Sequence, residues 1–228
     1  VEEVTPTEAQ AFVPFETEGV YRCTYGPADG YIDPLAVLKV YLKMAGERGA
    51  RLSLGAPVTR IERLRGGWRL LTPRGVVTAP VVVNAAGAWA GEVARLAGLA
   101  VPVVPVKRCV YRTLSGNSRR SYPLTVDTAS NFWLRGHSET VIYTVSKPDQ
   151  PPGWDEGMDW EWLKRVRAVS RTRFPWLEGL PVSRKNSFWG YYEATPDGAP
   201  VLGEMKSAPG WFNACGFSGH GVQQAAAV

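Results

Sequence analysis

A chain of 228 residues with 45% hydrophobic and 21% charged side chains has the size and composition of a globular protein with a buried core. Its net charge of +5 is not gathered into a basic motif, which argues against nucleic-acid binding. No apolar run approaches the ~18 residues of a membrane-spanning helix and no signal-peptide pattern opens the sequence, so we expect a cytoplasmic protein. Three distant cysteines and two histidines predict neither a disulfide framework nor a metal site.

The first predicted helix covers residues 34–48. Asp33 has the side chain of an N-cap, and Pro34 suits the first helical position because its missing N–H would be unpaired there anyway. Gly49 is expected to end the helix in a left-handed conformation. One apolar face, with charged residues elsewhere on the surface, is predicted from Leu35, Leu38, Leu42 and Ala45.

Short strands are predicted after this helix. Alternating apolar residues indicate strands at 51–54, 58–64 and 68–72. Gly66-Gly67 is expected to form the tight turn between the last two strands.

A strand, a small-residue turn and a helix are predicted next. Residues 76–83 end in three consecutive valines, which is typical of a strand covered on both faces in a parallel sheet. Asn84-Ala85-Ala86-Gly87 then leads into a helix over 88–97, which Gly98 ends. Such a unit lets a cofactor approach the backbone closely.

The middle of the chain has the alternation of an antiparallel sheet. The predicted strands are 105–114, 123–127, 131–135, 139–146 and, further on, about 183–192. A Pro/Gly-rich loop at 148–157 separates the sheet strands from a helix over 160–174, with Leu163, Val166 and Val169 on one face. Buried-strand character returns at 200–202 and 211–214.

This order predicts a mixed α/β (α+β) fold. Residues 1–102 and 195–228 are assigned to a nucleotide-binding layer of the FAD/NAD(P)-binding type. Residues 103–194 are assigned to an antiparallel β substrate-binding domain with flanking helices.

The last segment carries the most specific pattern. Gly216, Gly219 and Gly221 surround Ser218 and His220, and a helix is predicted to begin at Val222. Closely spaced glycines permit positive φ angles, and a helix start favours negative charge, such as a phosphate or a reduced flavin. A glycine-rich turn that caps an ordinary helix is the alternative interpretation.

Five segments of the chain follow in the order of a known family. They are ADGYIDP (28–34), VVVNAAGAWA (81–90), PVKR (105–108), GYYEATPDGAPVLGE (190–204) and GFSGHGVQQA (216–225). Together they resemble the D-amino-acid oxidase-like superfamily of FAD-dependent oxidoreductases. The resemblance is to the branch that contains sarcosine oxidase, glycine oxidase, dimethylglycine dehydrogenase and the β subunit of proline dehydrogenase.

The resemblance implies a set of cofactor-binding residues. Val58 matches a valine whose backbone meets the adenine of FAD, and Ala85, Ala86 and Gly87 match a stretch that passes beside the cofactor, with Trp89 just after it. The positions expected along the isoalloxazine are Gly216, Phe217, Ser218, Gly219, His220, Gly221, Val222 and Gln223. Trp89 could instead be a core residue.

Catalytic candidates also follow from the resemblance. Tyr192 matches a tyrosine near the substrate, and Tyr191, Glu193 and the TPDG turn (195–198) would shape the same wall. Since neighbours on a strand face opposite sides, only one of the two tyrosines can line the pocket. Glu193 could pair with a basic residue instead. His220 is either a general base or a residue valued for its backbone geometry.

Two departures from the family pattern change the expected chemistry. Monomeric sarcosine oxidases carry a flavin-linked cysteine where this chain has Gly190, so non-covalent FAD is expected from this segment. They also carry a lysine, implicated in oxygen activation and in carboxylate binding, where this chain has Gln223. A dehydrogenase that passes electrons to another acceptor is therefore favoured over an oxidase.

The resemblance implies flavin-dependent oxidation of the CH–NH bond of an amino acid or N-methylated amine, such as proline, sarcosine, glycine or dimethylglycine. An electron acceptor or partner subunit is expected, and nucleic acid is not. The family's opening GxGxxG does not occur here, so a truncated piece or one part of a split gene is expected. The alternative is a non-catalytic fragment or an assembly subunit.

Overall fold

The computed structural model describes residues 1–116 and 121–228. These residues form two compact units. Unit 1 consists of Val1–Tyr31, Lys107–Gln150 and Asp155–Gly190. Unit 2 consists of Ile32–Val106, Pro151–Trp154 and Tyr191–Val228.

The described residues contain strands and helices that alternate along the chain. The strands are β1 (Glu2–Val4), β2 (Cys23–Tyr25), β3 (Arg60–Leu64), β4 (Gly67–Thr72), β5 (Gly75–Ala79), β6 (Val82–Asn84), β7 (Val104–Arg112), β8 (Thr125–Asp127), β9 (Phe132–His137), β10 (Thr140–Val145), β11 (Phe188–Ala194), β12 (Val201–Glu204) and β13 (Trp211–Cys215). The helices are α1 (Pro6–Ala9), α2 (Pro34–Glu47), α3 (Ala90–Leu96), α4 (Trp162–Arg173) and α5 (Gly221–Gln224), with 3₁₀ turns at Gly87–Trp89 and Pro175–Leu177. The predicted mixed α/β fold is confirmed.

Unit 1 holds most of a five-stranded sheet in the order β11-β7-β10-β9-β8. Strands β7, β10, β9 and β8 pair antiparallel, which confirms the predicted antiparallel middle of the chain. Val166 of α4 is fully buried in the core of this unit, and Leu163 and Val169 pack beside it, as predicted. The largest buried side chains of this core are Tyr111, Phe132, Leu134, Tyr143, Phe174 and Leu177.

Unit 2 contains two three-stranded sheets. One is an antiparallel meander in the order β3-β4-β5. The other has the order β12-β13-β6, in which β12 and β13 are antiparallel while β13 and β6 are parallel. Trp68 and Trp211 meet edge to face in its core, with ring centroids 5.3 Å apart.

Helix α2 begins and ends where its caps predict. The Asp33 carboxylate accepts the N–H groups of Leu35 (2.9 Å) and Ala36 (3.2 Å). Gly49 has a φ of +88°, and the next N–H returns to the carbonyl of Ala45, which closes a Schellman motif. The apolar face was predicted less well, because its leucines lie in solvent in this structure, with Leu35 65% and Leu38 52% exposed.

The strand predictions were wrong in four places. Residues 51–54 are irregular, and the hairpin turn lies at Arg65-Gly66, because Gly67 already pairs with Leu64. Proline cannot donate to a ladder, so β5 ends before Pro80 and the predicted strand 76–83 divides into β5 and β6. Val83 is 59% exposed, so β6 is parallel as predicted but is not covered on both faces.

The fourth error concerns β11, which begins at Phe188 rather than near residue 183. The Ser183 hydroxyl accepts the N–H of Asn186 at 3.2 Å, and its carbonyl accepts the hydroxyl of Ser187 at 2.7 Å. These local bonds form a turn that competes with the strand.

Two buried asparagines join the parallel strands of unit 2. Asn84 at the end of β6 lies opposite Asn213 on β13, and the Asn84 amide donates to the Asn213 side-chain oxygen at 3.4 Å. Asn84 also donates to the carbonyl of Ala90 at 2.9 Å, while the Trp211 indole N–H donates to Asn213 at 3.0 Å. This network ties β6, β13 and the start of α3 together without exposing a polar group to the core.

Within residues 1–116 and 121–228, no helix combines the length and hydrophobicity needed to cross a membrane.

Asn213→Ala should lower the free energy of unfolding by about 2 kcal/mol, because it leaves the indole N–H of Trp211 buried without its acceptor and removes one of the two acceptors of the Asn84 amide. Urea denaturation followed by tryptophan fluorescence measures the change. Asn186→Ala, at an exposed asparagine, is the matched control and should change stability by less than about 0.5 kcal/mol. Equal effects of the two substitutions would contradict a structural role for the network.

Candidate functional site

Two loops leave the same edge of the β12-β13-β6 sheet. Strands β6 and β13 are parallel, with Asn84 opposite Asn213, so their carboxyl ends lie side by side. The segment Ala85–Trp89, here called the alanine turn, follows β6, and the segment Gly216–Gly221, the glycine loop, follows β13. The carboxyl edge of neighbouring parallel strands is where open α/β sheets bind their ligands.

The alanine turn presents backbone rather than side chains. The Ala86 N–H donates to the Asn84 side chain at 3.4 Å, and the Trp89 N–H donates to the Ala86 carbonyl at 3.0 Å. Gly87 has a φ of +54°, and no described residue has an atom within 4 Å of the position that a Cβ would take there. A ligand can therefore approach this backbone more closely than larger side chains would allow.

At two positions of the glycine loop, Gly216 and Gly219, the surroundings and the backbone conformation favour glycine. At Gly216 (φ +80°) a Cβ would lie 2.6 Å from the Thr195 methyl carbon, and at Gly219 (φ +97°) it would lie 2.6 Å from the ring of Tyr192. Both contacts are far shorter than van der Waals distance, and both φ values disfavour other residues. Ser218, a non-glycine residue, also has a positive φ of +50°, which stores about 1 kcal/mol of strain.

Glu193 holds the glycine loop in place. Its carboxylate accepts the N–H of Gly216 at 2.7 Å, and its own carbonyl accepts the N–H of Ser218 at 3.3 Å. A charged acceptor makes the first of these a strong hydrogen bond. The carboxylate thus serves the backbone of the loop, a role that neither of the sequence-based alternatives, substrate contact or ion pair, included.

The thiol at the start of the glycine loop is inert. Burial, together with the nearby negative charge of Glu193, raises the pKa of the Cys215 thiol to about 11. The thiol is therefore neutral at physiological pH, and a neutral thiol is a poor nucleophile. Burial therefore argues against a nucleophilic role for Cys215.

The two neighbouring tyrosines of β11 make different contacts. Tyr192 lies beside Gly219, with its ring carbons in the space that a Cβ at that position would need. Tyr191 is edge-on to Trp154, with ring centroids 4.9 Å apart. Their separate environments are those expected of adjacent residues on a strand.

Helix α5 begins at Gly221, the last residue of the glycine loop and one residue before the predicted start at Val222. His220 and Gln223 are exposed, and the His220 N–H donates to the Phe217 carbonyl at 2.8 Å.

Every sequence-predicted cofactor residue lies in unit 2. Val58 is half-buried against the core of this unit, next to the start of β3, while the remaining residues lie in the alanine turn, the glycine loop or α5. Trp89 is 52% exposed, so the alternative that it belongs to the core is wrong.

Sequence reasoning missed four residues of this region: Glu92, Trp154, Asn84 and Asn213. Trp154 stacks on Trp89 with centroids 4.8 Å apart, although it lies in the Pro/Gly-rich loop 148–157. A tryptophan in a loop of that composition was the available signal, since large aromatic residues are rarely left in solvent.

Within the described ranges 1–116 and 121–228, no group of His, Cys, Asp and Glu side chains is arranged to hold a metal ion.

Known proteins resemble this chain along its whole length. Human mitochondrial sarcosine dehydrogenase is 28% identical over 96% of the chain, and human mitochondrial dimethylglycine dehydrogenase is 28% identical over 99%. Glycine oxidase of Bacillus subtilis is 27% identical over 83%. The chain spans 25%, 28% and 50% of the lengths of these three relatives.

Solved structures show the same fold. L-proline dehydrogenase from P. horikoshii superposes with a TM-score of 0.89 at 27% identity, over 98% of this chain and 61% of that one. Glycine oxidase from Geobacillus kaustophilus superposes with a TM-score of 0.79 at 22% identity, over 97% of this chain and 58% of that one.

The sequence family described as FAD dependent oxidoreductase matches residues 1–228, all of the chain. The superposition on L-proline dehydrogenase agrees with that match. The alanine turn and the glycine loop at one edge of the sheet also agree with it. The chain therefore belongs to the FAD-dependent oxidoreductase family.

Proposed function

We propose that unit 2 binds FAD along the alanine turn and the glycine loop. The observation that carries this proposal is the parallel pairing of β6 with β13, which brings the two segments to one edge of a sheet. FAD is the cofactor of the family, and these are the segments that the family resemblance assigns to it.

The local geometry fits such a cofactor. Small side chains at Ala85, Ala86 and Gly87 leave the backbone open, and the space beside Gly87 is free of atoms from described residues. The glycine loop is fixed by Glu193 and by Tyr192, so its backbone is organised before a ligand arrives. Val58 and Trp89 would contribute further contacts, as would Gly216–Gln223.

FAD would be bound non-covalently at this segment. Gly190 occupies the position at which the related monomeric sarcosine oxidases carry a flavin-linked cysteine. A glycine has no side chain with which to form a bond, so affinity must come from the backbone contacts of the two loops.

The proposed reaction is oxidation of the CH–NH bond of an amino acid or an N-methylated amine. When bound, FAD supplies the acceptor for the hydride that leaves the carbon next to nitrogen, and the protein supplies binding and orientation. The names of the relatives, sarcosine and dimethylglycine dehydrogenase and L-proline dehydrogenase, support proline, sarcosine, glycine or dimethylglycine as the substrate class.

Within this reaction the side chains have separate roles. Tyr192 contacts the glycine loop and lines the substrate side, whereas Tyr191 belongs to an aromatic cluster. His220 contributes through its backbone, which closes the glycine loop by its bond to Phe217. That bond is consistent with the geometric role of His220 and leaves its imidazole available for the alternative role as general base.

A dehydrogenase is favoured over an oxidase. Gln223 is neutral and stands where related oxidases carry a lysine implicated in oxygen activation. Without a positive charge there, electrons would pass to an acceptor other than oxygen, such as a partner subunit.

Gly219→Ala should weaken FAD binding about tenfold, because a Cβ there would lie 2.6 Å from the Tyr192 ring and would displace either the ring or the glycine loop. Titration of the purified protein with FAD, followed by flavin absorbance and fluorescence, measures the dissociation constant. A wild-type protein that stays colourless in excess FAD would contradict the proposed function.

Gly203→Ala is the matched control for this substitution. Gly203 has a similar φ of +101°, but no described residue has an atom within 4 Å of its Cβ position. The control therefore shares the backbone cost of alanine at positive φ without the collision. Equal losses of FAD affinity in both variants would remove the glycine loop from the cofactor site.

Gln223→Lys should speed the reoxidation of reduced flavin by oxygen about tenfold, since a nearby positive charge favours the negative charge that forms on oxygen. The flavin is reduced with dithionite, so no substrate is needed, and stopped-flow absorbance follows its reoxidation by oxygen and by an artificial dye.

Gln224→Lys adds the same charge one residue further along α5 and should have a smaller effect. Fast oxygen reactivity in the unmodified protein would contradict the assignment of Gln223 and favour an oxidase.

A further inference from the structure

Three aromatic side chains of unit 2 form one cluster: Trp89, Trp154 and Tyr191. Trp154 stacks on Trp89, with a centroid distance of 4.8 Å and an interplanar angle of 21°. Tyr191 meets Trp154 edge to face at 4.9 Å and 84°, and it meets Trp89 at 6.3 Å with the same angle. These are the two geometries that aromatic pairs prefer.

Trp154 is held from two directions. Its indole N–H donates to the Glu92 carboxylate at 2.7 Å, and the N–H of the preceding Gly153 donates to the carbonyl of Pro105 at 3.0 Å. The acceptor on Glu92 is charged, which strengthens the first bond. These two hydrogen bonds attach the Pro/Gly-rich loop 148–157 to helix α3 and to the start of β7.

The cluster includes one residue of the alanine turn and, on β11, the neighbour of Tyr192. Trp89 is the last residue of the alanine turn, and Tyr191 immediately precedes Tyr192, which packs against the glycine loop. Trp89 and Trp154 remain 52% and 36% exposed, so they add little to the core. The cluster is partly in solvent and so contributes little apolar burial, yet Trp154 is fixed by a hydrogen bond to a carboxylate. These contacts fit a role in positioning the neighbouring segments better than a role in stabilising the core.

We propose that Trp154, held by Glu92, is a positioning residue that fixes Trp89 and Tyr191 and thereby holds the alanine turn and β11 in the arrangement that binds FAD. The inference rests on the proposed function of unit 2 and adds a requirement outside the five sequence segments named in the sequence analysis. Neither Trp154 nor Glu92 needs to contact the cofactor for this role.

Trp154→Ala should raise the FAD dissociation constant about tenfold, because both aromatic contacts and the hydrogen bond are lost. Trp154→Phe keeps a ring to stack but loses the N–H donor, and we expect an increase of about threefold. FAD titration by fluorescence measures both, at a temperature at which circular dichroism shows each variant folded.

Two substitutions of Glu92 test whether its hydrogen bond to Trp154, rather than general stability, controls FAD affinity. Glu92→Ala removes the acceptor and should match Trp154→Phe, whereas Glu92→Gln keeps an amide oxygen as acceptor and should retain nearly wild-type affinity. Glu47→Ala is the matched control, because it removes an exposed carboxylate that pairs with Lys43 of the same helix, α2, at 3.9 Å, and it should not alter FAD affinity.

The outcomes distinguish this inference from the proposed function. Wild-type protein that binds no FAD would overturn both. Wild-type protein that binds FAD, with folded Trp154→Phe and Glu92→Ala variants that bind it equally well, would overturn the positioning role alone. Equal losses in Glu92→Ala and Glu92→Gln would also overturn it, because the hydrogen bond would then not be the cause.

Discussion

The parallel pairing of β6 with β13 is the interaction on which the candidate site depends. Parallel strands end at the same edge, so this pairing alone brings the alanine turn beside the glycine loop, although more than a hundred residues separate them in sequence. Asn84 and Asn213 complete it, because their buried amides bond to each other and to the start of α3. The two segments would have no common edge without it.

The glycine loop adds a second constraint, which is steric. Gly216 and Gly219 approach Thr195 and Tyr192 too closely for any side chain, and Glu193 holds the loop backbone through its carboxylate. Order of this kind would suit a loop that binds a ligand, since less order has to be created on binding. Tyr192 and Glu193 are neighbours on β11, so this one short strand holds the loop at two points.

Features set by neighbouring residues were predicted well from sequence. The caps of α2 depend on Asp33, Pro34 and Gly49 alone, and all three act as expected. The hairpin turn was misplaced by one residue because either of two adjacent glycines can occupy the left-handed position. The leucines of α2 show which face is apolar, but the pattern carries no information about what, if anything, packs there.

Features that depend on distant residues could not be predicted. The Trp154–Glu92 bond joins positions separated by 62 residues, and the Asn84–Asn213 bond joins positions separated by 129. An asparagine before two alanines looks like an ordinary turn until its partner strand is known. The family resemblance predicts which segments form the candidate site, whereas the contacts that hold those segments are visible only in the structure.

Hydrogen–deuterium exchange of the protein with and without FAD reports on the backbone of the alanine turn and of the glycine loop in one experiment. If both segments bind FAD, the cofactor slows the exchange of their amides together. Protection of only one segment, or protection confined to unit 1, would contradict a cofactor site built on the β6–β13 edge.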